Sequence, residues 1–107
     1  MHTPEHVEIE YLPYGFIRLG GRWVIKDTEV SHREDGPSYI DTDGTEWWYQ
    51  YGVLHRTDGP AISYPGDSYY HIKGQRIYSA EEFQRLTGMS DDDITFMILK
   101  YGHFNQG

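Results

Sequence analysis

The feature that most constrains this chain is a short motif that returns after 23 positions. Ser31-His32-Arg33-Glu34-Asp35-Gly36-Pro37-Ser38 comes back as Leu54-His55-Arg56-Thr57-Asp58-Gly59-Pro60-Ala61. Between the copies runs Gly44-Thr45-Glu46-Trp47-Trp48-Tyr49-Gln50-Tyr51-Gly52, and its counterpart after the second copy is Gly66-Asp67-Ser68-Tyr69-Tyr70-His71-Ile72-Lys73-Gly74. A degenerate earlier unit places Val24-Ile25-Lys26 where Trp47-Trp48-Tyr49 falls in the next. Units of this size cannot bury a core alone and depend on their neighbours, so the chain reads as a short repeat array.

Each unit reads as a β-hairpin. Ser38-Tyr39-Ile40-Asp41 and Ala61-Ile62-Ser63-Tyr64 are rich in β-branched and aromatic residues. Thr42-Asp43-Gly44 and Pro65-Gly66-Asp67 supply the turns that join them to the aromatic strands. Upstream, residues 7–12 alternate as an entry strand ended by Pro13, and residues 16–25 form a hairpin around Gly20-Gly21. The pattern then turns helical. Ser79 with Glu82, and Ser90 with Asp93, are capping boxes, closed by Gly88 and Gly102. Ile94, Met97, Ile98 and Tyr101 fall on one helical stripe. The expected fold is α+β and mostly β: an antiparallel meander of repeated hairpins over residues 7–78, with a helical hairpin over 79–102, in one domain spanning 1–107. Size scaling lets a chain of 107 residues bury about two-thirds of its unfolded surface, enough for a core without staples.

Within the repeated motif, Asp before Gly-Pro is turn vocabulary. The carboxylate accepts local N–H groups, Gly tolerates positive φ, and Pro fixes φ at the next strand. The expected role of His32, Asp35, Gly36, Pro37, His55, Asp58, Gly59 and Pro60 is therefore a repeated hydrogen-bonded corner, in which Arg and Asp also pair. The sharper reading joins His32, His55, Asp35 and Asp58 into a metal or acid/base site. Metal ligands favour a short-spaced pair on one element, and these histidines lie 23 residues apart without a third partner, so no metal and no cofactor are expected.

The aromatic strands offer a second candidate. The chain holds ten Tyr, three Trp and four Phe, more than a core of this size needs. Period-two alternation sets Trp48 with Gln50, and Tyr70 with Ile72, on a core face that Ile25 joins by register. Trp47, Tyr49, Tyr51, Tyr69 and His71 fall on the other face, as a recognition surface or as a cross-strand ladder that stabilises a thin sheet. Beside them, Arg33 and Arg56 would take the phosphate in an alternative reading, a nucleotide or glycan stacked on the rings.

Catalysis finds little support. Asp41, Asp43 and Glu46 suggest a glycosidase pair, yet carboxylates around a turn ordinarily form the turn. No phosphate loop or nucleophile elbow is present, and no enzyme is expected. Seventeen acidic against nine basic residues give a net charge of −8, which repels phosphate backbones and excludes double-stranded nucleic acid as a partner. The acidic start of the last helix, Asp91-Asp92-Asp93, argues against a helix-turn-helix for the same reason. There is no Cys, so disulfides, thiolate chemistry and sulfur-ligated zinc are excluded. With no leader pattern at the N-terminus and no apolar span, the expectation is a soluble cytoplasmic protein without a membrane partner.

The residues at 48–61, Trp-Tyr-Gln-Tyr-Gly followed by Leu54-His55-Arg56-Thr57-Asp58-Gly59-Pro60-Ala61, resemble the His-Arg-x-Asp-Gly-Pro-Ala repeats of small phage and giant-virus proteins, which are loosely similar to MORN-type hairpins. Glu81-Glu82-Phe83 resembles the helix start that often ends such arrays. The likeness covers residues 24–87. Ser38 departs from the family's Ala, and the last unit keeps only Tyr70-His71-Ile72-Lys73-Gly74. The resemblance implies a phage-encoded origin acting in the host cytoplasm. Small size, acidity and surplus aromatics then point to a non-enzymatic binding protein that engages and inhibits a host protein such as a defence or regulatory complex. A small-ligand module, a virion component and a homodimer through the aromatic face stay open.

Overall fold

The computed structural model describes residues 9–14 and 17–104. Nine strands and two helices follow in chain order: β1 (Ile9–Tyr14), β2 (Ile17–Ile25), β3 (Tyr39–Ile40), β4 (Glu46–Trp47), β5 (Tyr49–Gln50), β6 (Val53–Leu54), β7 (Ile62–Tyr64), β8 (Asp67–Ile72), β9 (Gln75–Ile77), α1 (Ala80–Thr87) and α2 (Asp91–Tyr101). Seven strands form one antiparallel sheet in the order β1-β2-β3-β4-β7-β8-β9, and β5-β6 form a separate ribbon. The expected mostly-β meander with a helical hairpin is what the chain builds. Residues 7 and 8 of the expected entry strand lie outside the described residues. No helix among the described residues is long and apolar enough to cross a membrane.

The repeat explains the split into sheet and ribbon. In β8 the first half pairs with β7, Ile62 opposite Tyr69, and the second half pairs with β9, Tyr70 opposite Ile77. One unit earlier the same exchange breaks the strand in two. Glu46 and Trp47 pair with β3, the counterpart of β7, and on their other edge with β7 itself; Trp48 carries no strand pairing, and Tyr49 and Gln50 pair with β6.

Three local expectations are corrected. Pro13 lies inside β1, where the register with β2 shifts between Leu12 and Tyr14, rather than ending the strand; a proline is tolerated at an irregular edge position because no ladder hydrogen bond is lost there. Gly20 and Gly21 lie within β2, which continues from Ile17 to Ile25 with Tyr14 opposite Ile17, so the strand reversal precedes them. The first unit is also out of register with the 23-residue shift. His32 N–H donates to Trp23 O at 3.0 Å, and His55 N–H donates to Trp48 O at 3.0 Å. Trp23, not Ile25, thus occupies the place of Trp48, and Ile25 is only half-buried. The segment between Trp23 and His32 is two residues longer than its counterpart between Trp48 and His55, and the loop at 26–31 absorbs the excess.

The core gathers at the C-terminal end. Tyr70, Ile72, Ile77, Phe83, Ile94 and Met97 are buried together, with Ile98, Tyr101 and Phe104 packed against them. Alternation along β8 sends Ser68, Tyr70 and Ile72 inward and leaves Tyr69 and His71 on the opposite face. Tyr70 stacks on Phe104 at 4.0 Å and meets Phe83 edge-on at 5.5 Å, while its hydroxyl donates to Gly102 O at 2.9 Å. Burial pushes the Tyr70 hydroxyl pKa up to about 12. Both helices start as the capping boxes predict: Ser79 Oγ accepts from Glu82 N–H and Ser90 Oγ from Asp93 N–H. Gly88 closes α1 in the left-handed region at φ 75°. Phe83 is fully buried where sheet and helices meet, so Phe83→Ala is expected to cost about 3–5 kcal/mol, read as a lower urea midpoint.

Candidate functional site

The two copies of the motif make the same corner. Arg33 Nε donates to Asp35 Oδ1 at 3.1 Å and Arg33 NH1 to Pro37 O at 3.2 Å. Arg56 Nε donates to Asp58 Oδ1 at 2.8 Å and Arg56 NH1 to Pro60 O at 3.3 Å. Above each guanidinium lies the tryptophan of the same unit, Trp23 at 4.8 Å and Trp48 at 3.7 Å. Beneath it lies the glycine. A Cβ on Gly36 would sit 2.8 Å from Arg33 Cζ, and one on Gly59 only 2.6 Å from Arg56 Cζ. Neither glycine has a positive φ. The expected reason for these glycines, a left-handed turn, is therefore replaced by another: a flat cation needs a residue without a side chain against it.

The histidine reaches forward into the next unit. His32 Nδ1 accepts Tyr51 N–H and His55 Nδ1 accepts Lys73 N–H, each at 2.9 Å. Tyr51-Gly52 and Lys73-Gly74 are the two-residue turns of the β5–β6 and β8–β9 hairpins. All four have positive φ, at 50°, 79°, 51° and 85°, the signature of a type I′ turn. With Nδ1 as acceptor, Nε2 of His32 carries the proton and donates to Glu34 Oε2 at 3.1 Å. Both Nδ1 lone pairs are thus occupied by peptide N–H groups. Among the described residues no group of three or more His, Cys, Asp or Glu is arranged to hold a metal ion.

The aromatic residues divide between two places. One cross-strand row runs through Arg22, Tyr39, Trp47, Ile62 and Tyr69, each directly opposite the next across β2, β3, β4, β7 and β8. Opposed residues share a face, and this face is the one turned away from α1 and α2. Tyr64 meets Trp47 and Tyr69 edge-on at 6.2 and 5.6 Å, and the Arg76 guanidinium lies 4.6 Å from the Tyr69 ring and 4.9 Å from Tyr78. His71 shares this face, opposite Arg76. Tyr51 does not. It was expected on the strand, but it occupies the turn, 55% exposed, with its ring 4.4 Å from His32. Tyr49 lies in the β5–β6 ribbon opposite Leu54, and burial raises its hydroxyl pKa above the usual value. Trp48, expected in the core, is half-buried under Arg56 instead. Tyr64, Arg76 and Tyr78 were missed. Tyr64 shares the face of Ile62 by alternation along β7, and extending the pairing past β8 to β9 would have found Arg76 opposite His71.

The remaining candidates have local duties. Asp41 Oδ1 accepts Thr42 N–H at 2.7 Å and Asp43 Oδ1 accepts Thr45 N–H at 2.9 Å, which holds the Asp43 carboxyl below its usual pKa. Arg56 is 8% exposed and donates from its third nitrogen, NH2, to Tyr101 Oη at 3.0 Å. With every nitrogen engaged, a phosphate would have to displace an existing partner. The cavity beside this corner, between Glu34, Asp35, Trp48, His55 and Asp58, has a volume of about 190 Å³ and an acidic rim. No family model matches the chain, and neither a curated protein nor a solved structure matches it.

Two predictions follow from the corner. Gly59→Ala is expected to destabilise by about 1–3 kcal/mol, because the guanidinium is held on four sides and has nowhere to move. In an Arg56→Ala background the same change should be neutral or stabilising by up to about 1 kcal/mol, since the position is not left-handed; a thermodynamic cycle from urea unfolding reads the difference. The second concerns pH. Burial, then the Lys73 charge, holds the His55 pKa below the ordinary value; burial does the same to His71, with Arg76 adding to it and the Tyr69 backbone opposing. The unfolded chain then binds more protons, so stability is complete above about pH 6.5 and is lost as the pH falls through the depressed folded values. Urea midpoints between pH 7.5 and 5.5 should decline, and Gln at both positions should flatten the slope.

Proposed function

We propose that the chain is a non-enzymatic binding protein that engages another protein through the aromatic face on which Tyr64 and Tyr78 are exposed beside the half-buried Trp47 and Tyr69. The observation that carries this reading is the cross-strand row on the side of the sheet away from the helices, where Trp, Tyr and Arg stand together. These three residue types dominate the energetics of protein interfaces, because a rigid ring or fork desolvates a large area at low entropic cost. Tyr64 and Tyr78 are exposed at its rim. The net charge of −8 selects a basic partner surface and speeds its approach. If the chain is phage-encoded, as its repeat resembles, that partner is a host protein.

A small-ligand reading is less well supported. Arg56 uses all three nitrogens and Arg33 uses Nε and NH1 inside the corners, and the cavity next to Arg56 is smaller than pockets for drug-sized ligands, roughly 300–1,000 Å³.

The test uses Tyr64→Ala with Tyr78→Ala. Both side chains are exposed, so the melting temperature should shift by no more than about 5 °C. Recovery of a stoichiometric basic protein from lysate of the source cell should fall at least about tenfold, equivalent to about 1.4 kcal/mol, and wild-type recovery should fall with added salt. Equal recovery of the same partner by the double variant would remove this face from the interface.

A further inference from the structure

We propose that α2 is a self-association helix, which pairs antiparallel with α2 of a second copy of this chain. The most exposed large apolar side chains among the described residues are on this helix: Phe96 at 71% and Leu99 at 80%. With 3.6 residues per turn they point away from Ile94, Met97 and Tyr101, which α2 turns toward the core. The helix thus carries a second exposed side with two large apolar residues, shared with Asp92, and only the core side has a partner among the described residues.

Charge placement identifies the occupant. Asp93 and Lys100 are both exposed and seven residues apart, so they lie on one flank of the helix, at nearly equal distances on either side of Phe96. A two-fold axis passing beside Phe96 sets a second α2 antiparallel and places each Asp93 opposite the other copy's Lys100. The same operation packs the two Phe96 rings across the axis and brings each Leu99 toward the first turn of the facing helix. It also sets the acidic first turn, Asp91-Asp92-Asp93, against the C-terminal half of its partner, so the helix dipoles run opposite. A parallel pairing would stack the acidic turns on each other. A uniformly basic groove on a foreign protein would satisfy Asp91–Asp93 but oppose Lys100. The pattern is self-complementary, as an isologous interface requires.

The surface is small, with two apolar anchors from each copy and two ion pairs in all, which places the dimer at the weak end of specific association, with a dissociation constant on the order of tens of micromolar. The like net charges of the copies are screened beyond about 8 Å at physiological salt. This surface lies on the helices, away from the aromatic face. The dimer would present two copies of that face, and its test is independent of any partner.

Sedimentation or light scattering of the full chain at roughly 10–500 μM is expected to show the mass rising from 12.6 kDa toward twice that value. Phe96→Glu should stay monomeric throughout with unchanged circular dichroism. Asp93→Lys and Lys100→Asp should each weaken the dimer at least about tenfold, because each places like charges across the axis. An equimolar mixture of those two variants should restore it, since the mixed pair regains two opposite-charge contacts. The proposal is overturned if the wild type remains monomeric to about 500 μM, if Phe96→Glu dimerises undiminished, or if the mixture associates no better than either variant alone.

Discussion

A single guanidinium, held between a tryptophan ring and a glycine, organises each unit of this protein. Arg56 is 8% exposed, so its charge sits in a place where an uncompensated ion would cost several kcal/mol. Compensation comes from every direction: the Asp58 carboxylate and the Pro60 carbonyl at the edge, Trp48 above, and the Tyr101 hydroxyl from α2. A cation over an indole contributes about 0.5–2 kcal/mol depending on desolvation. The arrangement also orients the chain. The Arg–Asp and Arg–Pro bonds close the corner, and the corner sets the path from which β7 departs beside β4. Arg33 repeats the same contacts with Trp23 one unit earlier, in a more exposed setting.

The array ends where this device runs out. Tyr70 takes the place of Trp23 and Trp48, but no arginine among the described residues is stacked on it. Phe104 stacks on it instead, with Phe83 against its edge. α1 and the segment that follows α2 thus supply, in apolar form, the cover that an additional repeat would have supplied with a cation. Ser68 Oγ and Tyr70 Oη both donate to carbonyls at the end of α2, at Tyr101 and Gly102. Together with the Arg56–Tyr101 bond from the preceding unit, these contacts tie the sheet to the helical hairpin, as terminal caps of repeat arrays do.

Much of this was legible in the sequence, for reasons that can be named. The hairpin meander followed from the repeat and its turn residues, and the helix limits followed from Ser79, Ser90, Gly88 and Gly102, because capping chemistry is local. The split of β8 into Tyr70 and Ile72 against Tyr69 and His71 followed from alternation. What alternation could not show was where a strand stops. Tyr51 reads as a strand residue, yet it and Lys73 hold the left-handed first position of a type I′ turn, a place where glycine, asparagine or aspartate would have announced it. Each is held there by a histidine from the preceding unit, a contact 18 or 19 residues away in sequence. Trp48 was taken for core because no local rule pairs it with Arg56. Gly36 and Gly59 were assigned to backbone freedom when the cause is the room a guanidinium takes.

Those histidine bonds all run in one direction, from a corner to the hairpin that follows it. During synthesis, a corner that has left the ribosome therefore stays incomplete for about another twenty residues, until the next turn arrives to donate its N–H. His32 waits for Tyr51, His55 waits for Lys73, and the Arg56 corner waits longer still, for Tyr101. The partner that completes each corner therefore lies C-terminal to it, and the corner with the more buried cation has the more distant one, at Tyr101.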